Sequence, residues 1–410
     1  LTPGVIFTFD DIKEMLTWER TVALGEISRL TKPEFYSIAE FAMNLGLNVE
    51  GHLANIKDYK MITSYFAAGA SSDHEAVDIE DALNRIRLGI HLMIREGSAA
   101  RDLTSLIKVI TEKNISSRWC SFCTDDRTPS DILNEGHIDF IVRRAIEEGV
   151  DSISAIQMAT INPSIYFGLD RELGSLVPGK IADVLVVKNL EKFQIMMVFA
   201  NGQLVSKQGT LTLDIKKSKY PEWAIKTFHV KRSIEPADFR IKASVKDGFA
   251  RCNIIEVHDG TLIGKKIVNV LPVRNNEILP NIEQDIAKIA CIERYGKTKP
   301  NIGLGFIKGF KIKQGAFGAS IAHDTHNIVV VGTNDLDLSL VVNSIIEMNG
   351  GIVVALNGKL LNSLNLPFGG ILSLESIEIV AHKLERIEQD ISEKIGSSFK
   401  SPIMTLSFQT

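Results

Sequence analysis

The segment Cys120-Ser-Phe-Cys-Thr-Asp-Asp-Arg-Thr-Pro129 joins an apolar run to a pair of adjacent carboxylates. Residues 117–123 are mostly apolar or β-forming, and the run stops at Asp125 and Asp126, shortly before a proline. An apolar strand that ends in ionisable residues is typical of the catalytic face of an α/β protein. Because neighbouring carboxylates repel each other, we expect a metal ion or Arg127 to compensate them. The alternative is that an aspartate such as Asp131 only caps a helix, predicted over residues 131–148.

The same alternation of strand and helix extends outward from this segment over residues 10–149. Strands are predicted at 22–26, 48–52, 70–75, 90–97 and 118–125, and helices at 10–19, 33–45, 57–68, 79–88, 103–113 and 131–148. Such alternation indicates parallel βα units, whose strand ends share one face. All five strands end in ionisable residues, which favours a (β/α)8 TIM-like barrel over an open sheet with a single switch point. Five units do not close eight strands, so we expect three more strands upstream of Leu1 or elsewhere.

The pattern changes after the predicted barrel. A helix is predicted at 153–166, then a small β-sandwich module with a hairpin at 195–204 around Asn201-Gly202, a pair that suits a type I′ turn. From about residue 233 strands and helices indicate a separate α/β (α+β) domain. Gly303, Gly305 and Gly309 do not match a phosphate-binding spacing and are interpreted as turn residues. We therefore predict domains at 1–170, 171–232 and 233–410.

Composition narrows the class of protein. Of the 410 residues 45% are hydrophobic and 23% charged, which is ordinary for a globular chain of two or three domains. A net charge of -4 offers no bulk attraction for nucleic acid or an anionic membrane. Neither a membrane-spanning run nor a secretory signal is apparent, and four cysteines do not make a disulfide framework. We expect a cytoplasmic protein, and because the chain begins at Leu1 inside an apparent loop, we expect it to be a fragment or to lack its flanks.

Ligand-type side chains end four of the predicted strands: Glu26, His52, His74 and Asp125. Imidazole and carboxylate groups suit zinc, manganese or iron. A bound metal lowers the pKa of its water toward neutrality, and Asp125 is placed both to bind the metal and to accept the proton of that water. A single histidine at a strand end is more often structural, but four such groups on one face indicate a metal site.

Several neighbouring residues leave alternatives open. Asp73 and Glu75 flank His74, so one is expected to orient its imidazole and the other to act as an acid toward substrate. Arg95 and Glu96 either contact substrate or form a buried ion pair at the barrel mouth. Two further patterns read as structural: Cys120-x-x-Cys123, which lacks the second pair of a zinc ribbon, and His323-Asp-Thr-His326, where a turn at a strand edge is commoner than a metal or substrate site.

Short motifs recur over nearly the whole chain. They are Ala23-Leu-Gly-Glu26, Gly51-His52, Ser72-Asp-His-Glu75, Met93-Ile-Arg-Glu-Gly-Ser-Ala99, Thr124-Asp-Asp-Arg127, Glu135-Gly-His-Ile138, Gln157-Met-Ala-Thr-Ile-Asn-Pro163, Val177-Pro-Gly-Lys-Ile-Ala-Asp183, Ile321-Ala-His-Asp-Thr-His-Asn327, Val331-Gly-Thr-Asn334 and Met404-Thr-Leu-Ser-Phe408. Together they resemble the bacterial and archaeal adenine deaminases of the amidohydrolase superfamily. The Ala-Thr-x-Asn-Pro and Pro-Gly-Lys-x-Ala-Asp elements mark only the superfamily, whereas the Ser-Asp-His-Glu, Ile-Arg-Glu-Gly-Ser and His-Asp-x-His-Asn elements are narrower.

The resemblance implies a binuclear metal site in a (β/α)8 barrel and hydrolytic deamination of adenine to hypoxanthine and ammonia. In that pattern Glu26 resembles a carboxylate that bridges two metals. His52 and His74 resemble ligands of one metal, and Asp125 a ligand of the other that also moves a proton. Glu75 is the candidate for protonating the ring, and Arg95, Glu96 and Asp126 are the candidates for substrate contact. Manganese is the expected metal, with iron or zinc as alternatives, and a homodimer or larger homo-oligomer is expected.

One departure from the family pattern affects this expectation. The family carries His-x-His on its first strand, and no His-x-His occurs in these 410 residues. We therefore expect either an absent upstream segment or a degenerate relative, and weak metal binding by the chain as written. Two alternatives remain: a related hydrolase that acts on another cyclic amide or aminopurine, and a truncated, metal-poor scaffold without activity.

Overall fold

The computed structural model describes residues 3–28, 32–98, 100–216, 219–259, 264–297 and 301–409. Contacts gather the chain into two compact units. The amino-terminal unit comprises Phe7–Arg127 and Asn134–Lys217, and the carboxy-terminal unit comprises Leu1–Ile6, Thr128–Leu133 and Ser218–Thr410. The predicted division at residues 170 and 232 stays a prediction, since the small β module lies within the first of these units. None of the helices in the described ranges has the length and apolarity needed to cross a membrane.

Short parallel strands alternate with helices in the amino-terminal unit, as predicted. The strands are β1 (Ala23–Ile27), β2 (Asn48–Gly51), β3 (Ser72–Asp73), β4 (His91–Arg95) and β5 (Cys120–Cys123). The helices of this unit are α1 (Phe9–Leu16), α2 (Pro33–Asn44), α3 (Tyr59–Ala67), α4 (Ile79–Arg87), α5 (Leu103–Leu106), α6 (Lys108–Thr111), α8 (Ile138–Glu147), α9 (Ser152–Ala159) and α10 (Ile161–Tyr166). Helix α7 (Pro129–Asn134) comes between α6 and α8 in the chain and belongs, except for Asn134, to the carboxy-terminal unit. All pairings among these five strands are parallel.

The five strands form two sheets, β1-β2 and β3-β4-β5, within the described residues. The amide of Ser71, just before β3, donates to Val49 O of β2 at 2.9 Å and spans the gap between the sheets. Helices α2 and α3 pack their apolar faces against β1 and β2, and α8 and α9 pack against β4 and β5. The mixed α/β class is therefore confirmed, while closure into an eight-stranded barrel stays a prediction.

Three long helices predicted from the sequence are interrupted. The predicted helix 131–148 is wrong as one element, because Gly136, at φ +117°, ends α7 before α8 begins. The helix predicted at 103–113 is divided into α5 and α6. The helix predicted at 153–166 breaks at Thr160, whose φ of −133° and ψ of −85° are not helical.

The small β module is a single antiparallel sheet of four strands in the described part of the chain, and its pairing with a second sheet into a sandwich stays a prediction. Its strands are β6 (Val184–Val187), β7 (Ile195–Ala200), β8 (Gln203–Lys207) and β9 (Thr210–Leu211), in the order β6-β7-β8-β9. Asn201 and Gly202 join β7 to β8 with φ values of +48° and +76°. The predicted type I′ turn is therefore confirmed.

The carboxy-terminal unit is built on a mixed sheet that has ten strands in the described ranges, ordered β10-β13-β12-β11-β15-β14-β17-β16-β18-β19. The strands are β10 (Ile241–Lys242), β11 (Gly248–Glu256), β12 (Lys265–Arg274), β13 (Glu277–Ile278), β14 (Ile286–Ile292), β15 (Ile302–Lys308), β16 (Ala316–Ala319), β17 (Ile328–Gly332), β18 (Gly351–Leu356) and β19 (Lys359–Asn365). The helices are α11 (Glu222–Ile225), α12 (Asp335–Glu347), α13 (Ile377–Asp390) and α14 (Pro402–Ser407). One apolar cluster lies between the sheet and α13, and another between the sheet and α12.

Two of the glycines interpreted as turn residues lie in a strand. Gly303 and Gly305 are in β15, where they pair with Cys291 and Ile289 of β14. Only Gly309, at φ +125° after the end of β15, has the backbone conformation of a turn residue. Because glycine carries no side chain to mark a face of a strand, the sequence of β15 lacks a clear alternation of apolar and polar residues.

Candidate metal and catalytic site

Three predicted ligands meet where β1, β2 and β3 end. His52 Nδ1 lies 3.2 Å from Glu26 Oε1, and His74 Nε2 lies 3.3 Å from Glu26 Oε2. The two imidazole nitrogens lie 3.2 Å from each other. One carboxylate thus faces two imidazoles, an arrangement that can hold a divalent cation.

A second group shares His74 and adds Glu75 and Asp125. Glu75 Oε1 lies 3.5 Å from His74 Nε2 and 3.7 Å from His52 Nδ1. The strand ends therefore bring Glu26, His52, His74 and Asp125 into two adjoining groups that share His74.

Arg95, at the end of β4, carries the positive charge of the site. Its Nη1 lies 2.9 Å from Asp125 Oδ2 and also binds Glu75 Oε1, while its Nη2 lies 3.0 Å from Asp102 Oδ2. The predicted ion pair with Glu96 is wrong, because Arg95 pairs with these three carboxylates instead. The guanidinium is almost fully buried, with a side-chain exposure of 8%.

The carboxylate of Glu96 binds the start of a helix. It is buried, and its Oε2 accepts the amide of Leu103, the first residue of α5, at 3.1 Å. A carboxylate at this position satisfies one of the free amides at a helix start. Neighbouring side chains on an extended backbone point to opposite faces, which explains why Arg95 and Glu96 have different partners. The prediction that Glu96 binds substrate is therefore not supported by its position.

The loops after β4 and β5 are joined by backbone contacts. Ser98 N donates to Asp126 O at 2.9 Å, and Glu96 N donates to Cys123 O at 3.0 Å. A Cβ on Gly97 would lie only 2.6 Å from Thr124 O, so glycine is required for this approach. Asp126 contributes its main chain to this contact, and its own amide donates to Asp125 Oδ1 at 2.8 Å.

A buried ion pair that the sequence interpretation missed lies beneath the histidines. Arg85 of α4 and Asp73 of β3 are both fully buried and paired with each other. Asp73 accepts the amides of Leu53 at 2.8 Å and Glu75 at 3.1 Å, and Arg85 Nη2 donates to Leu53 O at 3.2 Å. This pair holds the residues that follow His52 and His74. Asp73 therefore fixes the backbone rather than the imidazole of His74, contrary to one of the expected roles.

Hydrogen bonds and charge shift the pKa values of the site. The hydrogen bond with Glu26 raises the pKa of His52 to about 9, and the same contact lowers the pKa of Glu26. Burial alone would raise the pKa of Asp125, but the hydrogen bond and charge of Arg95 lower it. Glu26 and Asp125 are therefore carboxylates at neutral pH, as metal binding requires, whereas His52 must lose its proton before it binds a metal.

The remaining candidate groups have structural surroundings. The rings of His323 and His326 lie 5.4 Å apart in a turn before β17, and His326 Nδ1 faces the amide of Ala322 at 3.3 Å. The segment of residues 323–326 is therefore interpreted as a turn at a strand edge and not as a metal or substrate site. Cys120 and Cys123 are free thiols, and burial raises the pKa of both to about 12.

Comparison with known proteins covers both units. Residues 19–205 match the model of the Amidohydrolase family, and residues 261–410 match the model of the Adenine deaminase C-terminal domain. The adenine deaminase of Clostridium botulinum (strain 657 / Type Ba4) is 37% identical over 402 residues, which cover 97% of this chain and 67% of that protein. The adenine deaminase of Desulforamulus reducens is 36% identical over 411 residues, covering 99% and 69%. The adenine deaminase of Staphylothermus marinus is 35% identical over 415 residues, covering 99% and 67%.

These relatives are matched over nearly the full length of the chain, and two family models divide it between them. The resemblance seen in the short motifs is thereby confirmed. The chain belongs to the adenine deaminase family.

Proposed function

We propose that this protein hydrolyses adenine to hypoxanthine and ammonia at the site formed by Glu26, His52, His74, Glu75 and Asp125. The observation that carries the proposal is the meeting of two imidazoles and three carboxylates at the ends of β1, β2, β3 and β5, in a chain whose relatives are named adenine deaminase. In the reaction water adds to the carbon that bears the amino group, a proton reaches the adjacent ring nitrogen, and the carbon–nitrogen bond breaks.

The side chains fit a divalent metal. The ligand atoms of Glu26, His52 and His74 lie within 4.8 Å of one another, and imidazole and carboxylate groups are a donor set that suits such a cation. We propose that Glu26, His52, His74 and Asp125 hold it, with manganese as the first candidate and iron or zinc as alternatives. When bound, such a metal lowers the pKa of water toward neutrality and supplies hydroxide. A binuclear centre, which the resemblance implies, needs ligands beyond these four.

Asp125 is the proposed base. Arg95 keeps it ionised, so it is ready to take a proton from the attacking water. Glu75 is the proposed acid toward the ring. Glu75 Oε1 lies 3.5 Å from His74 Nε2 and also binds Arg95, so the proposed acid stands beside the proposed metal ligands.

Substrate contacts are proposed for Arg95 and Asp126. The Arg95 guanidinium holds Asp125 and Glu75 together, so it sets the spacing of the proposed base and acid that act on the purine. Asp126 follows the base directly and lies in the loop that closes on Gly97. These two assignments depend on the position of the residues beside the carboxylate cluster.

The test is turnover of a panel of substrates with added manganese. Ammonia release is measured with adenine, guanine, cytosine and hydantoin, and hypoxanthine is identified as the second product from adenine. Selective release from adenine supports the proposal. Release from another substrate alone would favour the related hydrolase, and no release from any of them would favour the inactive scaffold.

We also propose that the five parallel strands belong to a (β/α)8 barrel and that the chain is organised as domains 1–170, 171–232 and 233–410. The parallel pairings and the change from parallel to antiparallel strands after α10 support this organisation. Limited proteolysis is expected to cut first between residues 212 and 235, where few strands and helices occur. An early cut within β11–β19 would contradict the prediction that residues 233–410 form a separate domain.

A further inference from the structure

Tyr65 lies in α3, outside every motif that the sequence interpretation selected, and only 2% of it is exposed. Its hydroxyl contacts two strands at once. The amide of His52, just after β2, donates to the hydroxyl at 2.9 Å, and the hydroxyl donates to the carbonyl oxygen of Ile27, the last residue of β1. Burial raises the pKa of Tyr65 to about 12, which keeps the phenol protonated as a donor.

This contact occurs where the pairing of β1 and β2 is irregular. Leu24 pairs with Val49 and Ile27 pairs with Gly51, so β1 advances three residues while β2 advances two. The extra residue lies in the segment that contains Glu26. An extra residue in one strand leaves part of the ladder unpaired and redirects a side chain. The Tyr65 hydroxyl supplies the connection between the two strands that the regular ladder does not make there.

Space for the phenol ring depends on Gly51. A Cβ on Gly51 would lie 3.2 Å from the Tyr65 hydroxyl oxygen and would clash with the carbonyl oxygen of Ser72. The glycine before His52 therefore allows the ring of Tyr65 and the end of β3 to approach the same backbone. Helix α3 and the ends of β2 and β3 are therefore packed closely around Gly51.

We propose that Tyr65 is a positioning residue that fixes Glu26 relative to His52 by tying the carbonyl of Ile27 to the amide of His52. The inference rests on the proposed function, in which Glu26 and His52 are metal ligands. Tyr65 touches neither metal nor substrate and acts through the backbone on either side. Removing a group that orients a metal ligand typically lowers the metal affinity by roughly 10- to 100-fold.

The test compares the full chain with Tyr65→Phe and two matched variants. Tyr59→Phe removes a hydroxyl from a half-exposed position on the same helix, and Ile62→Val loosens the packing of the same helix while leaving the Tyr65 hydroxyl in place. Two measurements are made on each: hydrogen exchange of backbone amides in residues 24–28 and 49–53 without metal, and the dissociation constant for Mn²⁺ by electron paramagnetic resonance.

We expect Tyr65→Phe to exchange faster in both segments and to raise the Mn²⁺ dissociation constant by about tenfold or more, with little change in the two matched variants. Unchanged exchange in Tyr65→Phe, or an equal loss of Mn²⁺ affinity in Ile62→Val, would overturn the positioning role. Glu26→Gln serves as a separate arm. If it leaves Mn²⁺ binding unchanged, the proposed metal site fails, while the exchange data still decide the role of Tyr65.

Discussion

At the scale of single residues, Asp125 has an unusual backbone, with φ at +55°. Asparagine is among the few residues that adopt this conformation readily, so Asp125→Asn is expected to keep the local structure. It removes the proposed base, and we expect the rate of adenine turnover to fall by roughly 10²–10⁴-fold. Ammonia release and the melting temperature check the two halves of this prediction. A rate within a few-fold of the parent would contradict the role of Asp125.

Glu388 of α13 gives a second prediction, which concerns pH. Burial and the nearby charges of Asp131 and Glu385 raise its pKa to about 7. A raised pKa means that the folded chain binds this proton more tightly than the unfolded chain. Stability is therefore lost as pH rises from about 4.5 to about 7, and the cost is fully present above that range.

Glu388→Gln should accordingly stabilise the protein at pH 8 by about 1–3 kcal/mol and have little effect at pH 4.5. Thermal unfolding followed across this range measures the difference. Glu347→Gln, an exposed position on α12, is the control and is expected to be neutral at both pH values. An equal shift in both variants would argue against burial of a charge at Glu388.

The residues of the site were predictable to different degrees. Glu26, His52, His74 and Asp125 followed from strand ends, because parallel strands place those ends on one face. Arg85 was not detectable, since a charged residue on a helix usually faces solvent and its partner Asp73 is 12 positions away. The contact of Glu96 with the amide of Leu103 could not be predicted, because it depends on how α5 packs after β4.

At the scale of elements, the contact between the loops after β4 and β5 depends on Gly97. Gly97→Ala would place a methyl group 2.6 Å from Thr124 O and 2.8 Å from Asp126 O, which are backbone atoms with little freedom to move. We expect a loss of stability of about 1–3 kcal/mol and a lower kcat, because the loop that carries Asp125 must shift. Urea unfolding and adenine turnover measure these effects.

The matched control for this substitution is Gly303→Ala in β15. A Cβ there would be 3.8 Å from its nearest neighbour, Cys291 O, which is an ordinary contact. Equal stability losses in the two variants would show that the approach of the loops is not what requires glycine at position 97.

The sequence predicts which helices and strands occur in the amino-terminal unit, because the apolar periodicity and the helix-capping residues indicate the same elements. Asp58 and Asp78, for example, cap α3 and α4 through their side chains. Interruptions were not predictable in the same way. The apolar pattern continues across Gly136 and Thr160, although each of them interrupts a helix. The backbone angles of these two residues end the helix, and the apolar pattern does not reveal those angles.

At the scale of the whole molecule, the chain spans 67–69% of the length of the relatives compared here. Four proposed ligands are present, and no His-x-His occurs in its 410 residues. We therefore expect weak Mn²⁺ binding by this chain, with the metal lost on desalting. Elemental analysis before and after desalting is the measurement, with His74→Asn as the control. Two tightly held metals per chain would contradict the expectation.

Assembly of the molecule stays a prediction as well. A homodimer or larger homo-oligomer is expected from the family resemblance, and sedimentation velocity at several protein concentrations measures it. The sequence does not predict whether the barrel closes, because closure requires pairing between strands that are distant along the chain. The parallel βα order is predictable because it depends on local patterns.

The extra residue in β1 between Leu24 and Ile27 also bears on changes of chain length. Successive side chains on a strand alternate between faces, so we expect deletion of Gly25 to restore an even ladder and to redirect the carboxylate of Glu26. A homologue that has lost the codon for Gly25 would keep every ligand in its alignment, and we expect it to hold the carboxylate and the imidazoles apart.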